Sequence, residues 1–493
     1  MKSFWQIMIA AILLAGCATS RGNAPAQGSL PFDFVTVAPN ASPTATPFQP
    51  VAWTQTTSPP LAGQLIAGGA MLTATQTPPA PTQTELPTID PNFLINTVAP
   101  QPTIDVSALD SQVLSNGEET VNFLLIGSDK RSGNSFRTDT MVIAILRPNE
   151  GQVSLISIPR DLWISVPNGE NQRINTVYQH GELNGHPGGG PGLLKETIQY
   201  NLGIRIDHTA MVDFDGFRKI VDTLGGVDVP VSCPYTDWHL IDPTFNPEIE
   251  ENWSLYTVES GVIHMDGDLA LWYARSRQKS SDFDRGRRQQ EVLRAIFEQA
   301  LQTGTLTRIP ELYNNLKDSV TTDLGLGDML QLSLYAPKMS SADIRSYYIR
   351  PPYVSSWITE QGAYVLLPNT DLLPELLTEA LSASTTTVER QTISIDVMNG
   401  TSNPGYETLA STRLNYAGYE TRIIPSDRQD YAYSVLIDKS AAQDYEIGNN
   451  ILGVMSMLPG SLIPAQDPSS SAQYLLILGY DYQPCFRPES LGQ

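Results

Sequence analysis

Three short apolar runs open the part of the chain in which hydrophobic residues are dense. Residues 121–127, 141–146 and 153–158 consist mainly of aliphatic and β-branched side chains, and polar or turn-forming residues separate them. Runs of this length and composition are typical of β-strands. We therefore predict three strands here.

The pattern then alternates between helical and strand-like segments. Residues 191–202 and 215–224 have the periodicity of helices, and strand-like runs occupy 209–214 and 227–231. Such alternation indicates a sheet covered by helices. The sequence predicts an α/β fold, an α/β/α sandwich around a mixed central sheet.

Three more helices are predicted at 267–272, 284–303 and 327–336, before a run of Ser, Ala and Thr at 382–387. Such a run is a poor continuation of either periodic pattern and marks a boundary.

A smaller set of elements follows this boundary. Strand-like runs at 392–398, 419–424 and 435–437 accompany a helical pattern at 406–416. They predict a second, smaller α/β domain at the C-terminus, in which we identify no catalytic group of residues.

The segment from residue 18 to residue 110 lacks both patterns. It is rich in Thr, Pro, Ala, Ser and Gln, and Arg21 is its only basic residue. Such a composition cannot bury a core, so a disordered tether is expected. It would let the folded part stand off from its attachment point.

The N-terminus resembles a bacterial lipoprotein signal peptide. An apolar run at about 4–14 precedes Leu14-Ala15-Gly16-Cys17, and small residues before a Cys suit cleavage and lipidation of Cys17. An uncleaved anchor helix, or an ordinary signal peptide with an incidental Cys, is the alternative. Either interpretation predicts an extracytoplasmic protein anchored to the cell membrane.

The net charge limits the partners. A formal charge of −22 argues against nucleic acid, whose binding needs many cations over a wide surface. Apart from Cys17, the cysteines are Cys233 and Cys485, which either form a disulfide or lie as separate buried thiols. No His and Cys spacing typical of zinc is present.

Positive charge is concentrated in one short segment. Fourteen residues hold a fifth of the 30 Lys and Arg, namely Arg275, Arg277, Lys279, Arg285, Arg287 and Arg288. Guanidinium groups match phosphate oxygens well, so this cluster suggests a phosphate site. A solvated face paired with Asp282 and Asp284 is the alternative.

Two carboxylates flank the loop between the first two predicted strands. Asp129 ends one strand and Asp139 begins the next. Magnesium on a phosphorylated substrate commonly uses one or two protein carboxylates, although Asx turns would also explain both residues. Arg160 follows the third strand and Pro159, and Arg173 adds another cation farther on.

Six motifs in one order resemble the LytR-CpsA-Psr family over about residues 121–302. The motifs are Gly127-Ser128-Asp129, Arg137-Thr138-Asp139-Thr140, Ser157-Ile158-Pro159-Arg160-Asp161, Arg173-Ile174-Asn175, Tyr273-Ala274-Arg275-Ser276-Arg277, and Asp284-Arg285 with Arg288-Gln289-Gln290. The C-terminal part resembles the LytR C-terminal domain.

The resemblance implies a phosphotransferase, a transferase of substituted phosphate groups. It would move a glycopolymer from a polyprenyl-pyrophosphate carrier to a peptidoglycan hydroxyl, with Mg²⁺ (Mn²⁺ as a substitute) held by Asp129 and Asp139. Catalytic roles carry over to these two residues and to Arg160, Arg275 and Arg277. A polyprenyl-pyrophosphate phosphatase and a non-catalytic lipid-carrier or cell-wall binding protein are the alternatives.

The resemblance also implies the groups that bind the pyrophosphate, which are Arg137, Arg160, Arg173, Arg275, Arg277, Arg285 and Gln289. Asp284, which stands where the family usually has Gly, is expected to draw Arg285 into an ion pair. Because Arg275 and Arg277 share a face only in an extended segment, their helix is expected to stop at about Ala274.

The polyprenyl chain implied by the resemblance would need an apolar slot. Helix residues that could line it, or could equally belong to the core, are Ile220, Val221, Leu224, Val292 and Ile296.

The predicted organisation is therefore a signal peptide at 1–17, a linker at 18–117, a LytR-CpsA-Psr catalytic domain at 118–385 and a LytR C-terminal domain at 390–485.

Overall fold

The computed structural model describes two stretches of sheet and helix and the segments between them. The described residues are 120–128, 138–167, 169–242, 244–277, 280–304, 319–383, 392–440 and 445–485, with positions 310, 313, 316 and 317. The predicted signal peptide with Cys17 and the linker up to residue 117 lie outside this range, as do Asp129, Arg137 and Lys279.

Helices and strands follow the predicted alternation. The helices are α1 (Ile174–Leu183), α2 (Gly189–Leu202), α3 (Phe214–Thr223), α4 (Gly267–Arg275), α5 (Asp282–Gln302), α6 (Leu326–Ser333), α7 (Leu373–Leu381), α8 (Tyr406–Tyr416) and α9 (Tyr445–Met455).

The strands are β1 (Val121–Ser128), β2 (Thr138–Arg147), β3 (Gln152–Ile158), β4 (Trp163–Ser165), β5 (Asn171–Arg173), β6 (His208–Val212), β7 (Val227–Val231), β8 (Tyr235–Leu240), β9 (Trp253–Val258), β10 (Gly261–Met265), β11 (Val320–Thr322), β12 (Ile344–Tyr348), β13 (Val354–Ile358), β14 (Tyr364–Pro368), β15 (Ser394–Asn399), β16 (Glu420–Ile424), β17 (Val435–Asp438), β18 (Leu462–Pro464) and β19 (Tyr474–Leu478).

The larger sheet has the order β11-β6-β1-β2-β3-β12. β1 and β2 are antiparallel, with Val121 opposite Leu146, whereas β1 and β6 are parallel. β2 and β3 are antiparallel, so the three first predicted strands are neighbours. The predicted mixed sheet is confirmed.

Helices cover both faces of this sheet. Alternate residues of a strand face opposite sides, and Phe123 accordingly packs into the core under α3, α4 and α5, while Leu124 packs into the core under α1, α2 and α7. Burial on both faces explains why these strands are almost continuously apolar. The predicted α/β/α sandwich is confirmed.

The C-terminal elements form a second sheet in the order β16-β15-β19-β17-β18, with α8 and α9 packed on a core of their own. β15 is parallel to both β16 and β19, and β17 is antiparallel to β19. The predicted smaller α/β fold is present. The boundaries at 385 and 390 stay a prediction, because the two sheets belong to one compact unit.

Two hydrogen bonds and a disulfide join the C-terminal part to α5 and its surroundings. Arg294 of α5 donates a hydrogen bond to the carbonyl of Tyr416 at 3.1 Å, and the Tyr416 hydroxyl donates to Glu298 at 2.9 Å. Cys233 and Cys485 form a disulfide, with their Cα atoms 4.5 Å apart. The structure thus selects the disulfide over two separate thiols.

Replacing both Cys233 and Cys485 with Ser is expected to lower the free energy of unfolding by about 2–4 kcal/mol, because the bond spans a long loop of the unfolded chain. Urea denaturation measures this loss. Wild type in dithiothreitol serves as the matched control, since it should lose the same stability, whereas dithiothreitol should leave the double variant unchanged. A double variant as stable as oxidised wild type contradicts the prediction.

Within the described ranges, no helix is both long enough and apolar enough to cross a bilayer.

Candidate active site

A cavity of about 340 Å³ lies at the ends of β1, β2 and β6, beside α3, α4 and α5. Its walls bring together residues that are far apart in the sequence. Six of the predicted site residues line it, namely Asp139, Arg160, Arg275, Arg277, Arg285 and Gln289. The segments of the predicted site therefore meet in space.

Arg160 is held in place by the turn after β3 and by carboxylates. Its Nη1 donates to Asp139 Oδ1 at 3.1 Å, and its Nε lies 3.4 Å from Asp161 and 3.3 Å from Asp282. Burial by itself lowers the pKa of Arg160, but Asp282, Asp161 and Asp139 outweigh it and raise the pKa above its usual value. Arg160 is a fixed cation.

The N-terminus of α5 decides which acid pairs with Arg285. Ser281 caps the helix by accepting a hydrogen bond from the Asp284 amide at 3.1 Å, so the helix begins at Asp282. Asp282 lies three residues before Arg285, and their side chains are 3.2 Å apart. The prediction that Asp284 pairs with Arg285 is wrong.

Asp284 instead forms ion pairs with Arg287 and Arg288, one turn later in the helix. It lies 2.8 Å from Arg287 and 3.3 Å from Arg288, at the i+3 and i+4 spacings at which helical side chains meet. Burial by itself raises the pKa of Asp284, but the two guanidinium groups outweigh this effect, and the pKa is lower than its usual value. Arg287 also pairs with Glu291. The interpretation of Arg287 as an ion-paired residue agrees with these contacts.

Asp282 was expected from the sequence only as a partner of the arginines on a solvated face, and its place beside the cavity was missed. Its carboxylate lies 3.3 Å from Arg160, 3.2 Å from Arg285 and 4.0 Å from Arg277. One acid therefore spaces three cations around the cavity. The signal was available, because Ser281 is a strong helix cap that places Asp282 in the first turn.

Arg275 and Arg277 are positioned at the end of α4. The helix ends at Arg275, one residue beyond the predicted stop. The Arg275 guanidinium lies over the ring of Phe214, 3.6 Å from its centroid. The backbone amide of Arg277 donates to Asp237 of β8 at 2.8 Å. The segment from 276 to 277 is outside the helix, as expected.

Buried polar residues of α5 connect these pieces. Arg288, fully buried, donates to the carbonyls of Tyr273 and Ser276 and to the Ser280 hydroxyl, which fixes the chain between α4 and α5. Gln289 donates to Thr140 Oγ1 of β2 at 2.9 Å. These bonds hold the strand ends and both helices in one arrangement.

Arg285 is a buried cation with two other cations near it. Burial lowers the pKa of Arg285, and despite the opposing effect of Asp282 the cations Arg277 and Arg160 lower it further, to about 10. Nη1 of Arg285 and Nε of Arg160 are buried and make no hydrogen bond within the described protein, although Asp282 oxygens lie 3.2 and 3.3 Å from them. Buried donors without acceptors are uncommon, and an anion would satisfy both.

The remaining wall of the cavity is apolar. Leu125, Val142, Phe217 and Leu293 contribute to it, as does Val292, one of the five predicted helix residues. The other four belong to the buried core beneath this face of the sheet, namely Ile220, Val221, Leu224 and Ile296. A cationic end and an apolar end in one cavity fit an amphiphilic anion.

Three predicted residues stand apart from this arrangement. Asp129 and Arg137 lie outside the described residues. Arg173 is not among the lining residues of this cavity, and its Nε lies 3.6 Å from Asp161 Oδ1. Its predicted phosphate contact remains a prediction.

This chain is similar to known proteins in sequence and in structure. A family model described as the LytR_cpsA_psr family matches residues 96–381. Two similar proteins are named polyisoprenyl-teichoic acid–peptidoglycan teichoic acid transferase TagU. The one from Oceanobacillus iheyensis is 32% identical over 219 residues, which cover 44% of this chain and 62% of the relative. The one from Halalkalibacterium halodurans is 31% identical over 222 residues, which cover 44% and 65%.

The chain thus spans less than two thirds of these two relatives. Regulatory protein MsrR of Staphylococcus aureus is 26% identical over 244 residues, which cover 49% of this chain and 68% of MsrR. The crystal structure of Bacillus subtilis TagV aligns at 24% identity and a TM-score of 0.44, covering 54% of this chain and 99% of TagV. A structure described as TagT bound to LI-WTA aligns at 24% identity and a TM-score of 0.41, covering 54% and 90%.

Proposed function

The chain belongs to the LytR-CpsA-Psr family, and on that premise we propose that it is an extracytoplasmic phosphotransferase. It moves a glycopolymer from a polyprenyl-pyrophosphate carrier to a peptidoglycan hydroxyl. The observation that carries this proposal is that Arg160, Arg275, Arg277 and Arg285 line the same cavity as Asp139 and an apolar wall. The lipid anchor at Cys17 keeps the enzyme at the membrane that holds its donor.

The four arginines bind the pyrophosphate through its non-bridging oxygens. Phosphoryl transfer asks a protein mainly for positioning and charge compensation, which fixed guanidinium groups supply. Asp282 keeps Arg160 and Arg285 at set positions, so little reorganisation accompanies binding. The apolar wall with Leu125 and Val292 receives the first part of the polyprenyl chain.

The transfer step exchanges one phosphorus–oxygen bond for another. The acceptor hydroxyl oxygen attacks the phosphorus that bears the glycopolymer, and the bond from that phosphorus to the bridging oxygen breaks. Polyprenyl phosphate leaves with the bonding electrons, and the hydroxyl proton passes to solvent. Arg160, Arg275 and Arg277 balance the charge that builds on the phosphoryl oxygens.

The carboxylate of Asp139 fits one ligand of a magnesium ion. It lies on the cavity wall and accepts a hydrogen bond from Arg160 at 3.1 Å, which leaves oxygen lone pairs for a hard cation. No group of three or more His, Cys, Asp or Glu with metal-site geometry occurs among the described residues. Asp139 and Asp129 would hold Mg²⁺ or Mn²⁺, and the bound ion supplies positive charge to the phosphates.

Product analysis with the full chain tests the proposal. The donor is a polyprenyl-pyrophosphate-linked glycopolymer, supplied with Mg²⁺ and with or without peptidoglycan. Mass spectrometry should find a phosphodiester between polymer and glycan only when acceptor is present, and EDTA should abolish it until Mg²⁺ or Mn²⁺ is returned. Release of polymer phosphate without acceptor would identify a phosphatase, and donor binding without turnover would identify a carrier-binding protein.

A further inference from the structure

Three parallel strands of the C-terminal sheet end at the same edge. β15 is parallel to β16 and β19, with Met398 opposite Ile424 and Asn399 opposite Leu478. The chain leaves β15 toward β16 on one side, while β19 lies on the other side. Loops beyond the carboxyl ends of parallel strands at such a point form the usual ligand crevice of open α/β sheets.

The loops at this edge, residues 400–405, 425–434 and 479–482, are bonded to one another. The Tyr431 amide donates to the Gly400 carbonyl at 3.0 Å, and the Tyr480 amide donates to the Tyr431 carbonyl at 2.9 Å. Gly400 and Gly479 lie so close to neighbouring atoms that a side chain would not fit at either position. A Cβ on Gly400 would lie 2.6 Å from the Tyr431 ring, and one on Gly479 would lie 2.3 Å from the Tyr433 backbone.

Three tyrosines lie on these bonded loops, and we call them the tyrosine platform (Tyr431, Tyr433 and Tyr480). Tyr433 is 74% exposed and Tyr480 is 48% exposed. The Tyr480 hydroxyl lies 2.9 Å from Ser402 Oγ and donates to the Gln429 carbonyl at 3.2 Å, which orients its ring.

The Tyr431 ring is held by one contact over its face and by another at its hydroxyl group. Arg428 lies over the Tyr431 ring, 4.2 Å from its centroid, and the Tyr431 hydroxyl donates to Asp427 at 3.0 Å. Exposed aromatic rings that are held in place contribute contact area at a small loss of conformational entropy. Tyr480 and Tyr431 are held in this way and Tyr433 is the most exposed of the three, so the platform offers aromatic area to a ligand.

The charge of these loops selects among ligands. Asp427, Asp430 and Asp481 outnumber the one cation, Arg428. An acidic edge repels polyanions and anionic membranes. Tyrosine rings stack on the C–H faces of sugar rings, and nearby hydroxyl, amide and carboxylate groups hydrogen-bond to sugar hydroxyls. We propose that the tyrosine platform binds an uncharged polysaccharide backbone, separately from the phosphate cavity.

Co-sedimentation of the full chain with insoluble peptidoglycan stripped of anionic polymers tests this site. Tyr433→Ala is expected to weaken binding about three- to tenfold, the contribution of one aromatic contact, and Tyr433→Trp should restore it. The matched control is Tyr445→Ala, because Tyr445, the first residue of α9, is 59% exposed. It follows the end of β17, which is antiparallel to β19 and therefore ends at the opposite edge.

Two further arms make the outcome decisive. Arg160→Ala should bind the stripped peptidoglycan like wild type, so failure of the phosphotransferase proposal leaves this test intact. Purified teichoic acid, a polyanion, should not compete, whereas soluble N-acetylglucosamine oligomers should. Unchanged binding by Tyr433→Ala, an equal loss in Tyr445→Ala, or competition by teichoic acid alone would overturn the proposal.

Discussion

Replacing Arg160 with Ala is expected to lower kcat/KM for glycopolymer transfer by about 100- to 1,000-fold, the range for removing one preorganised donor to developing charge. The side chain is the bridge among Asp139, Asp161 and Asp282, so its loss also leaves three acids without their shared cation. The measurement is the initial rate of phosphodiester formation at several donor concentrations.

Arg160→Lys separates charge from geometry. It keeps the positive charge, but an ammonium group cannot reproduce the planar fork that reaches Asp139 through Nη1 and two other acids through Nε. A loss of about tenfold or more is expected for this variant as well. Arg205→Ala is the control, since Arg205 is an exposed residue paired with Asp207 before β6 begins, away from the cavity. Wild-type rates in Arg160→Ala would contradict the site assignment.

The central sheet was predictable because its signal is local. β1, β2 and β3 are buried on both faces, so each appears in the sequence as one apolar run with turn residues at its ends. β7 has its predicted bounds because four of its five residues are buried and form a short apolar run. α8 also has its predicted bounds, with Leu409, Ala410 and Leu414 buried.

The hairpin of β8 and β9 gave no such signal. Leu255 and Tyr256 are exposed large side chains on β9, and the two strands lack a continuous apolar face. Yet Asp237 of β8 accepts the amide of Arg277 beside the cavity. The two residues are 40 positions apart in the sequence, and a single carboxylate in a polar strand gives no sequence signal for such a contact.

The assignment of Asp284 to Arg285 failed for a geometric reason. Starting the helix at Asp284 leaves Asp282 outside it, whereas the Ser281 cap places Asp282 one turn before Arg285. Adjacent residues on a helix point about 100° apart, so Asp284 cannot follow Arg285 into the cavity. The correct helix start thus divides the arginine cluster into a group that faces the cavity and a group that pairs along the helix.

Because of this division, the two single variants Arg285→Gln and Arg287→Gln are expected to have opposite effects on donor binding and on stability. Arg285 is buried, lines the cavity and has an Nη1 without a hydrogen bond, and its pKa of about 10 keeps it cationic at neutral pH. Arg285→Gln should weaken donor binding by about 10- to 100-fold, because a charge-assisted bond to phosphate is lost. Its stability should change little, since like-charge repulsion by Arg277 and Arg160 is also relieved.

Arg287→Gln should show the reverse. Arg287 pairs with Asp284 and Glu291. Removing it takes the cation from Glu291 and leaves Asp284 with Arg288 alone, which is expected to lower the free energy of unfolding by about 1–3 kcal/mol. Donor affinity should stay within twofold or so of wild type. Urea denaturation and equilibrium binding of the lipid pyrophosphate on both variants give the comparison. The two residues lie two positions apart on one helix. Loss of affinity in one variant and loss of stability in the other would therefore reflect the direction that each side chain takes. Equal losses of both quantities in both variants would contradict the prediction, because both arginines would then have the same role.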